Sequence, residues 1–224
     1  MNNFDLYQLA NLIVNKDIYA NAMSDSEFDL QLKAKNILLF TSKLPSEKSI
    51  NSQMVGTGVT RASQHDLAPF LIDTSYSISG TGFVDTTSLY EPGLYYLENY
   101  WTATSKTSEV ISLQEVAARK ASYIKPPTAT DLVAYIVEGG FKILSVTSGT
   151  VNVLGYRLPE IPVFAVTTNE TTLVMTYNSG ASVELEWNDG CKLDILHLIL
   201  QDMGVTIERQ EVTQLANKLI QTGK

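Results

Sequence analysis

Few side chains in this chain have the types and the spacing that enzymatic chemistry requires. The two histidines, His65 and His197, have no cysteine, aspartate or glutamate at a spacing that would complete a metal site. We expect His197, which lies in a strongly apolar stretch, to be a hydrogen-bonded residue of the core or of a subunit interface. The single cysteine, Cys191, excludes an internal disulfide and a cysteine-rich metal site. These residues predict neither a metal nor another cofactor.

Two short motifs resemble catalytic or phosphate-binding sequences but lack the elements that accompany them in such sites. Ser122 and Lys125 form an S-x-x-K pair, but no K-T-G element accompanies them and Pro126-Pro127 follows at once. Gly80-Thr81-Gly82 begins a glycine-rich motif, but Asp85 stands where the third glycine belongs. The chain contains no G-x-S-x-G and no P-loop sequence. We therefore predict that the protein is not an enzyme.

A small acidic group precedes the most apolar segment of the chain. Glu184 and Glu186 are two residues apart, so on an extended segment they share a face and suit a divalent ion. The alternative is a solvated run that leads to Asn188 or Asp189 as the N-cap of a helix. The sequence favours the N-cap.

Aromatic residues are concentrated in one predicted strand, Leu94–Trp101, and just before it. Tyr90, Tyr95, Tyr96, Tyr100 and Trp101 would suit a platform on which sugars stack. Aromatic side chains are also enriched in cores and at protein interfaces, and the sequence favours these two roles.

Helices are predicted at both ends of the chain. An apolar helix over residues 193–203 is followed by Gly204 and by a second, amphipathic helix over 208–220. Near the N-terminus, residues 4–14 have helical periodicity, and Ser24 to Glu27 form a capping box at the start of a helix that Leu44-Pro45 ends. A polar loop over 45–62 and a short helix around 63–68 follow.

Strands are predicted from about residue 76 onward. Leu94–Trp101 is expected to pair with 107–113, and a helical insert is expected over 114–122. Gly139-Gly140 predicts a hairpin between 132–138 and 141–146, and Ser148-Gly149 predicts a third strand that completes a meander. A further hairpin is predicted from 163–166 and 172–177.

The order helices, strands, helices predicts an α+β fold. We expect a helical bundle formed by the N- and C-terminal segments, with an inserted antiparallel β region. The predicted divisions are 1–75 for the N-terminal helices, 76–182 for the β region and 183–224 for a C-terminal helical hairpin.

Charge and hydropathy limit the classes of partner. The net charge is −8, and each of the three segments has more acidic than basic residues, so sequence-specific nucleic-acid binding is not expected. The N-terminal MNNFDLYQ has no basic region, and no window of about 20 apolar residues occurs, so we expect neither a signal peptide nor a membrane span. We expect a protein that is kept in a reducing compartment.

Several stretches, in order, resemble a family of virion structural proteins from tailed phages of Bacteroidetes, including the crAss-like podoviruses. They are residues 4–40, DLAPF at Asp66–Phe70, SYIKPPT at Ser122–Thr128, RLPEIPVF at Arg157–Phe164 and the block Ser182–Ala216. The resemblance covers most of the chain.

This resemblance implies a neck or tail ring protein of the head–tail adaptor kind. Its partners would be itself in a ring of 12 copies, the portal protein, other ring and tail proteins, and genomic DNA that passes through the channel without sequence recognition and is ejected there. It would be assembled in the host cytoplasm and located in the virion, without membrane contact. The residues expected at subunit contacts are Tyr95, Tyr96, Tyr100, Trp101, Leu200 and Met203, and the 45–62 loop is a further candidate. The competing hypothesis is a tail-associated module that uses the aromatics to contact carbohydrate or a receptor. A small hydrolase that uses Glu184 and Glu186 is the least favoured class.

Overall fold

A computed structural model gives the fold and describes residues 1–14, 23–44, 61–87, 94–168 and 175–203. The chain divides into two compact units. Met1–Pro69 and Pro159–Lys224 form the first, which we name the helical unit. Phe70–Leu158 form the second, which we name the sheet unit.

The sheet unit is built on seven strands in the order β3-β7-β1-β2-β6-β5-β4. The strands are β1 Leu71–Ile78, β2 Phe83–Asp85, β3 Leu94–Trp101, β4 Thr107–Val110, β5 Asp131–Val137, β6 Gly140–Ile143 and β7 Gly149–Arg157. Every pairing is antiparallel except that of β4 with β5. The outer strands β3 and β4 approach each other, so the sheet nearly closes into a barrel.

The predicted fold class, a helical bundle with an inserted antiparallel β region, is wrong. The dominant element is the large mixed sheet, and the described residues add five helices to it. The parallel pair arises because 20 residues separate β4 from β5, which is long enough for a crossover connection that returns the chain in the same direction. That crossover contains a 3-10 turn at Leu113–Glu115 and the short helix α4, Val116–Lys120.

Two predicted strand pairings are also wrong, although the strands themselves exist. β4 pairs along its length with β5 instead of β3, and β7 lies between β1 and β3 instead of beside β6. The Gly139-Gly140 hairpin is confirmed, because β5 and β6 pair antiparallel around it. Gly139 has a φ of 78°, a conformation that glycine adopts without strain.

The core of the sheet unit follows from strand alternation. In β1, every second side chain points to the interior. Tyr76 and Ile78 are buried there together with Tyr100, Phe141 and Val153 from three other strands. Asp73, Ser75 and Ser77 alternate with these apolar residues, which is the pattern of a strand with one buried face.

The helical unit contains four of the described helices. They are α1 Asn3–Val14, α2 Asp25–Lys43, α3 Arg61–Leu67 and α5 Asp189–Asp202. The predicted capping box is confirmed: the Ser24 hydroxyl accepts from the Glu27 N–H, and the Glu27 carboxylate accepts from the Ser24 N–H at 3.0 Å. A small hairpin of β8, Val166–Thr168, and β9, Met175–Tyr177, completes the described part of this unit. The hairpin was predicted, but its first strand begins at Val166 and not at Val163, which forms a bridge with Val183.

Aromatic rings and two buried amides hold the segments of the helical unit together. Tyr7, Phe28 and Phe164 pack with their ring centroids 5.0–5.3 Å apart. Asn3 is buried, and its side chain donates to the Val183 carbonyl at 2.9 Å. Asn36 is also buried and donates to the Glu160 carbonyl at 3.0 Å. These two amides join α1 and α2 to segments that follow them by more than 120 residues.

Helix α5 packs against α1 and α2. Its buried side chains are Cys191, Ile195, Leu196, Ile199 and Leu200. Leu193, Leu198 and Met203 are partly exposed, so burial within the described part of the chain is one-sided instead of complete. The predicted second helix over 208–220 lies outside the described residues. So does the predicted loop at 45–62, except for Arg61 and Ala62, which begin α3.

Candidate interaction surfaces

The residues with possible catalytic chemistry do not come together. His65 is exposed on α3, and His197 is partly buried on α5. In the S-x-x-K pair, the Ser122 hydroxyl accepts from the backbone N–H of Lys125 at 3.2 Å, while the Lys125 amine lies 3.4 Å from Glu109. That geometry is a hydrogen-bonded turn, because the lysine amine contacts a carboxylate and not the serine.

The two glutamates before α5 accept hydrogen bonds from backbone amides and from a tyrosine hydroxyl. Glu184 accepts from the backbone N–H of Asn3 at 2.7 Å and from the Tyr177 hydroxyl. Glu186 accepts from the backbone N–H of Glu160 at 2.8 Å. Within the described ranges, no group of three or more His, Cys, Asp or Glu side chains is placed to hold a metal ion.

The predicted N-cap of α5 is confirmed and belongs to a polar network. The Asn188 side chain accepts from the Cys191 N–H at 2.9 Å and donates to Asp66 at 3.2 Å. Asp66 also accepts from the Lys43 amine at 2.7 Å. Burial opposes ionisation of Asp66, but the Lys43 and Asn188 hydrogen bonds dominate and lower the pKa of its carboxyl. Burial raises the pKa of the Cys191 thiol to about 12, so this thiol stays protonated and unreactive at neutral pH.

The six residues predicted at subunit contacts differ in exposure. Tyr95 is 52% exposed and Trp101 is 36% exposed, both on β3. Tyr96 and Met203 are partly exposed. Tyr100 is 1% exposed inside the sheet unit, and Leu200 is buried in the helical unit. We name the exposed and partly exposed side chains of Tyr95, Tyr96 and Trp101 the aromatic strip.

The register of β3 with β7 places two residues of the strip on the outer face of the sheet. Tyr96 pairs with Tyr156, and Trp101 pairs with Asn152. Side chains alternate along β7, and Val153 points into the core, so Asn152 and Tyr156 point the other way. Paired residues of neighbouring strands share a face, and Tyr96 and Trp101 are therefore on the outer side. A register shift between Leu94 and Tyr96 interrupts the alternation at Tyr95, whose side chain is also exposed.

One carboxylate lies within this strip. Glu98 is on β3, and its Oε2 atom is buried without a hydrogen-bond donor among the described residues. Burial raises the pKa of the Glu98 carboxyl. Burial, followed by the nearby Glu98 charge, also raises the pKa of Tyr96 and of Tyr156. The aromatic strip therefore has one partly buried carboxyl group beside it, on the same strand.

The inner neighbour of the strip has a structural role. The Tyr100 hydroxyl donates to the Glu109 carbonyl of β4 at 2.7 Å, and burial raises the pKa of this phenol. The Ser108 hydroxyl donates to the Asn99 side chain at 2.6 Å. These two bonds join the outer strands β3 and β4.

A second apolar surface was not predicted from the sequence. The side chains of Tyr123 and Ile124 are 101% and 99% exposed in the connection from α4 to β5. Leu113, at the start of the same connection, is also exposed. The signal in the sequence was two large apolar residues side by side, directly before a Lys-Pro-Pro turn.

Comparison of the sequence with models of known protein families and with curated proteins finds no match. None of the helices in the described ranges has the length and hydropathy of a membrane-spanning helix. The sheet unit offers two apolar surfaces for contact with other molecules, one on β3 and one in the connection from α4 to β5.

Proposed function

We propose that this protein is a structural subunit of a ring in the neck or tail of a tailed phage. Such a ring joins the portal to the tail and surrounds part of the channel for the genome. The sequence resemblance to virion proteins supports this function. The observation that carries it is the aromatic strip, where Tyr95 and Trp101 expose large apolar side chains on a well-supported strand. Aromatic side chains of this kind are the usual anchors of protein–protein contacts.

The net negative charge of the chain suits a protein that lines a channel through which DNA passes. The net charge is −8, and acidic residues exceed basic ones in every third of the chain. A negative channel wall repels phosphates and does not retain the duplex. We propose that the acidic balance serves this purpose and that the ring contacts portal, tail and further ring proteins.

Electron microscopy and native mass spectrometry of the purified chain test this function. We expect closed rings, and twelve copies of a 24.7 kDa chain have a mass of about 296 kDa. Trp101→Ala should weaken the contact between subunits about tenfold or more, while far-UV circular dichroism stays unchanged. Ile136→Ala is the matched control, because it truncates another exposed apolar side chain of the same sheet.

A monomer at every concentration, with or without portal protein, would contradict the ring function. If the two alanine variants assembled equally well, the contact between subunits would not involve the aromatic strip.

The same exposed rings favour a second candidate, a tail-associated module that contacts carbohydrate. Tyr95 and Trp101 can stack on sugar rings as readily as on a neighbouring subunit. Titration with host surface polysaccharide, followed by the fluorescence of Trp101, distinguishes the two. Saturable quenching of a monomer that Trp101→Ala abolishes would favour the carbohydrate module.

A further inference from the structure

The crossover between β4 and β5 projects apolar side chains from the sheet unit. We name residues 112–128 the arm; it contains the 3-10 turn, α4 and the loop that follows. Tyr123 and Ile124 in its loop are as exposed as side chains in an extended peptide. Leu113, in the 3-10 turn, adds a third exposed apolar group. The arm therefore presents apolar area that its own sheet unit does not cover.

Several polar contacts fix the conformation of the arm. The Arg119 guanidinium donates to Glu109 of β4 at 2.6 Å, which attaches α4 to the sheet. The Ser112 N–H donates to Glu115 at 3.0 Å and begins the 3-10 turn, and Ser122 closes the turn that carries Tyr123 and Ile124. A partner that binds a preformed arm has little ordering entropy to overcome.

The charge of the arm is opposite to that of the rest of the chain. It carries Arg119, Lys120 and Lys125 against the single anion Glu115, a net charge of +2 on a chain of net charge −8. Lys120 and Lys125 are exposed, and Lys125 directly follows the apolar tip. The Lys125 amine lies 3.4 Å from Glu109, and docking would exchange this exposed ion pair for one with the partner surface. An apolar tip with adjacent cations is complementary to an apolar surface that contains an anion.

The aromatic strip of β3 combines an apolar surface with an anionic group. Tyr95 and Trp101 supply exposed aromatic area, and Glu98, which lies between them in the β3 sequence, supplies a partly exposed carboxyl group. An incoming ammonium group would bind the accessible part of that carboxylate. The complementarity is therefore both apolar and electrostatic, and both halves belong to the same chain.

We propose that the arm of one copy docks on the aromatic strip of a second copy, with Tyr123 and Ile124 against Tyr95 and Trp101 and with Lys125 at Glu98. Two different patches meet in such a contact, so it is heterologous and can propagate around a ring. This arm contact rests on the proposed function in one respect, because it names the surface that the ring subunits share.

Engineered cysteines test the contact directly, because the native Cys191 is buried. Tyr95→Cys is prepared in one chain and Ile124→Cys in a second chain that carries a tag of different mass. The two proteins are mixed, assembled and oxidised, and a disulfide-linked pair of mixed mass is expected. Ile136→Cys replaces Tyr95→Cys in the control mixture, because Ile136 is exposed on the same sheet but outside the strip. That control should give no mixed pair above background.

A charge exchange provides an independent test at the same contact. Glu98→Lys and Lys125→Glu should each weaken association about tenfold or more, measured by analytical ultracentrifugation. Their combination restores opposite charges and should return association to near that of the unmodified chain. Folding of each variant is checked by its circular dichroism and by a single melting transition.

The outcomes separate the arm contact from the ring function. Rings without a mixed disulfide would overturn the arm contact and leave the ring function standing. A mixed disulfide with charge rescue, but without closed rings, would support the arm contact and count against the ring. Ile124→Cys chains that link only to each other would mean an arm-to-arm contact and would overturn the proposal. Absence of both rings and mixed disulfides would refute both.

Discussion

The buried amide of Asn36 offers a quantitative test of how the helical unit is held together. Its Oδ1 accepts from the Trp187 indole at 2.6 Å, and its Nδ2 donates to the Glu160 carbonyl at 3.0 Å. One side chain on α2 thus bonds to two segments that follow it by more than 120 residues. Asn36→Ala removes both bonds at a buried position.

The expected loss of stability can be estimated from these contacts. Removing the acceptor of a buried indole N–H costs ~1–3 kcal/mol, and losing the amide–carbonyl bond costs ~1 kcal/mol. The higher helix propensity of alanine offsets roughly 0.6 kcal/mol. We expect Asn36→Ala to lower the free energy of unfolding by about 2–3 kcal/mol, and the urea midpoint by about 1 M or more.

Tryptophan fluorescence makes this measurement specific to one unit. The chain has two tryptophans, and Trp101→Phe leaves Trp187 as the only emitter. Urea titrations of Asn36→Ala are then compared in that background with Gln31→Ala, an amide-to-alanine change at a less buried position of the same helix. Gln31→Ala should alter the unfolding free energy by no more than roughly 0.5 kcal/mol. Equal effects of the two changes would refute the reasoning.

Three further changes test other parts of the fold. Leu196→Asp places a carboxylate in the buried face of α5 and should give insoluble protein, whereas Gln201→Asp on the exposed side should express and melt normally. Gly155→Ala would press a Cβ against the backbone carbonyl oxygen of Tyr96 in β3 and should cost about 3 kcal/mol by thermal melting, whereas Gly80→Ala meets nothing within 4 Å and should be neutral. Asp66→Ala should cost about 1–2 kcal/mol in urea at neutral pH. Because the folded-state pKa of this carboxyl is lowered, its contribution is present above the ordinary value of 3.8 and is lost as pH falls through the folded pKa.

Each of these changes has an outcome that would contradict its premise. Equal melting of the two aspartate variants would mean that Leu196 is not buried. A stable Gly155→Ala protein would mean that β3 and β7 are farther apart than the structure has them. An Asp66→Ala deficit that persists unchanged in acid would mean that the ion pair with lysine is not its cause.

Local signals predicted the elements of this fold better than their pairing. Ser24 and Glu27 cap a helix by contacts that span only three residues, and Gly139 turns a hairpin by its own backbone preference. Neither depends on the rest of the chain, so both could be found in the sequence. The existence of β3, α4 and α5 could be predicted for the same reason.

The pairing of strands could not be predicted because every strand has two edges and neighbours in sequence are only one choice for each. β7 follows β6 along the chain but pairs with β1 and β3. One local signal for this arrangement was present, since Gly155 interrupts an apolar strand where the β3 backbone comes close. The buried amides Asn3 and Asn36 left no such signal, because their partners lie more than 120 residues away.

Strand alternation also determines which of the predicted contact residues can be tested at an interface. Neighbouring residues of a strand point to opposite faces, so Tyr100 and Trp101 cannot both face outward. Tyr100 is inside the sheet unit and joins β3 to β4 through its hydroxyl. Truncation of Tyr100 would therefore prevent assembly by damaging the fold. Loss of assembly in that variant would carry no information about subunit contacts. Trp101 is exposed on the outer face, so a folded Trp101→Ala protein that fails to assemble locates the contact at the aromatic strip.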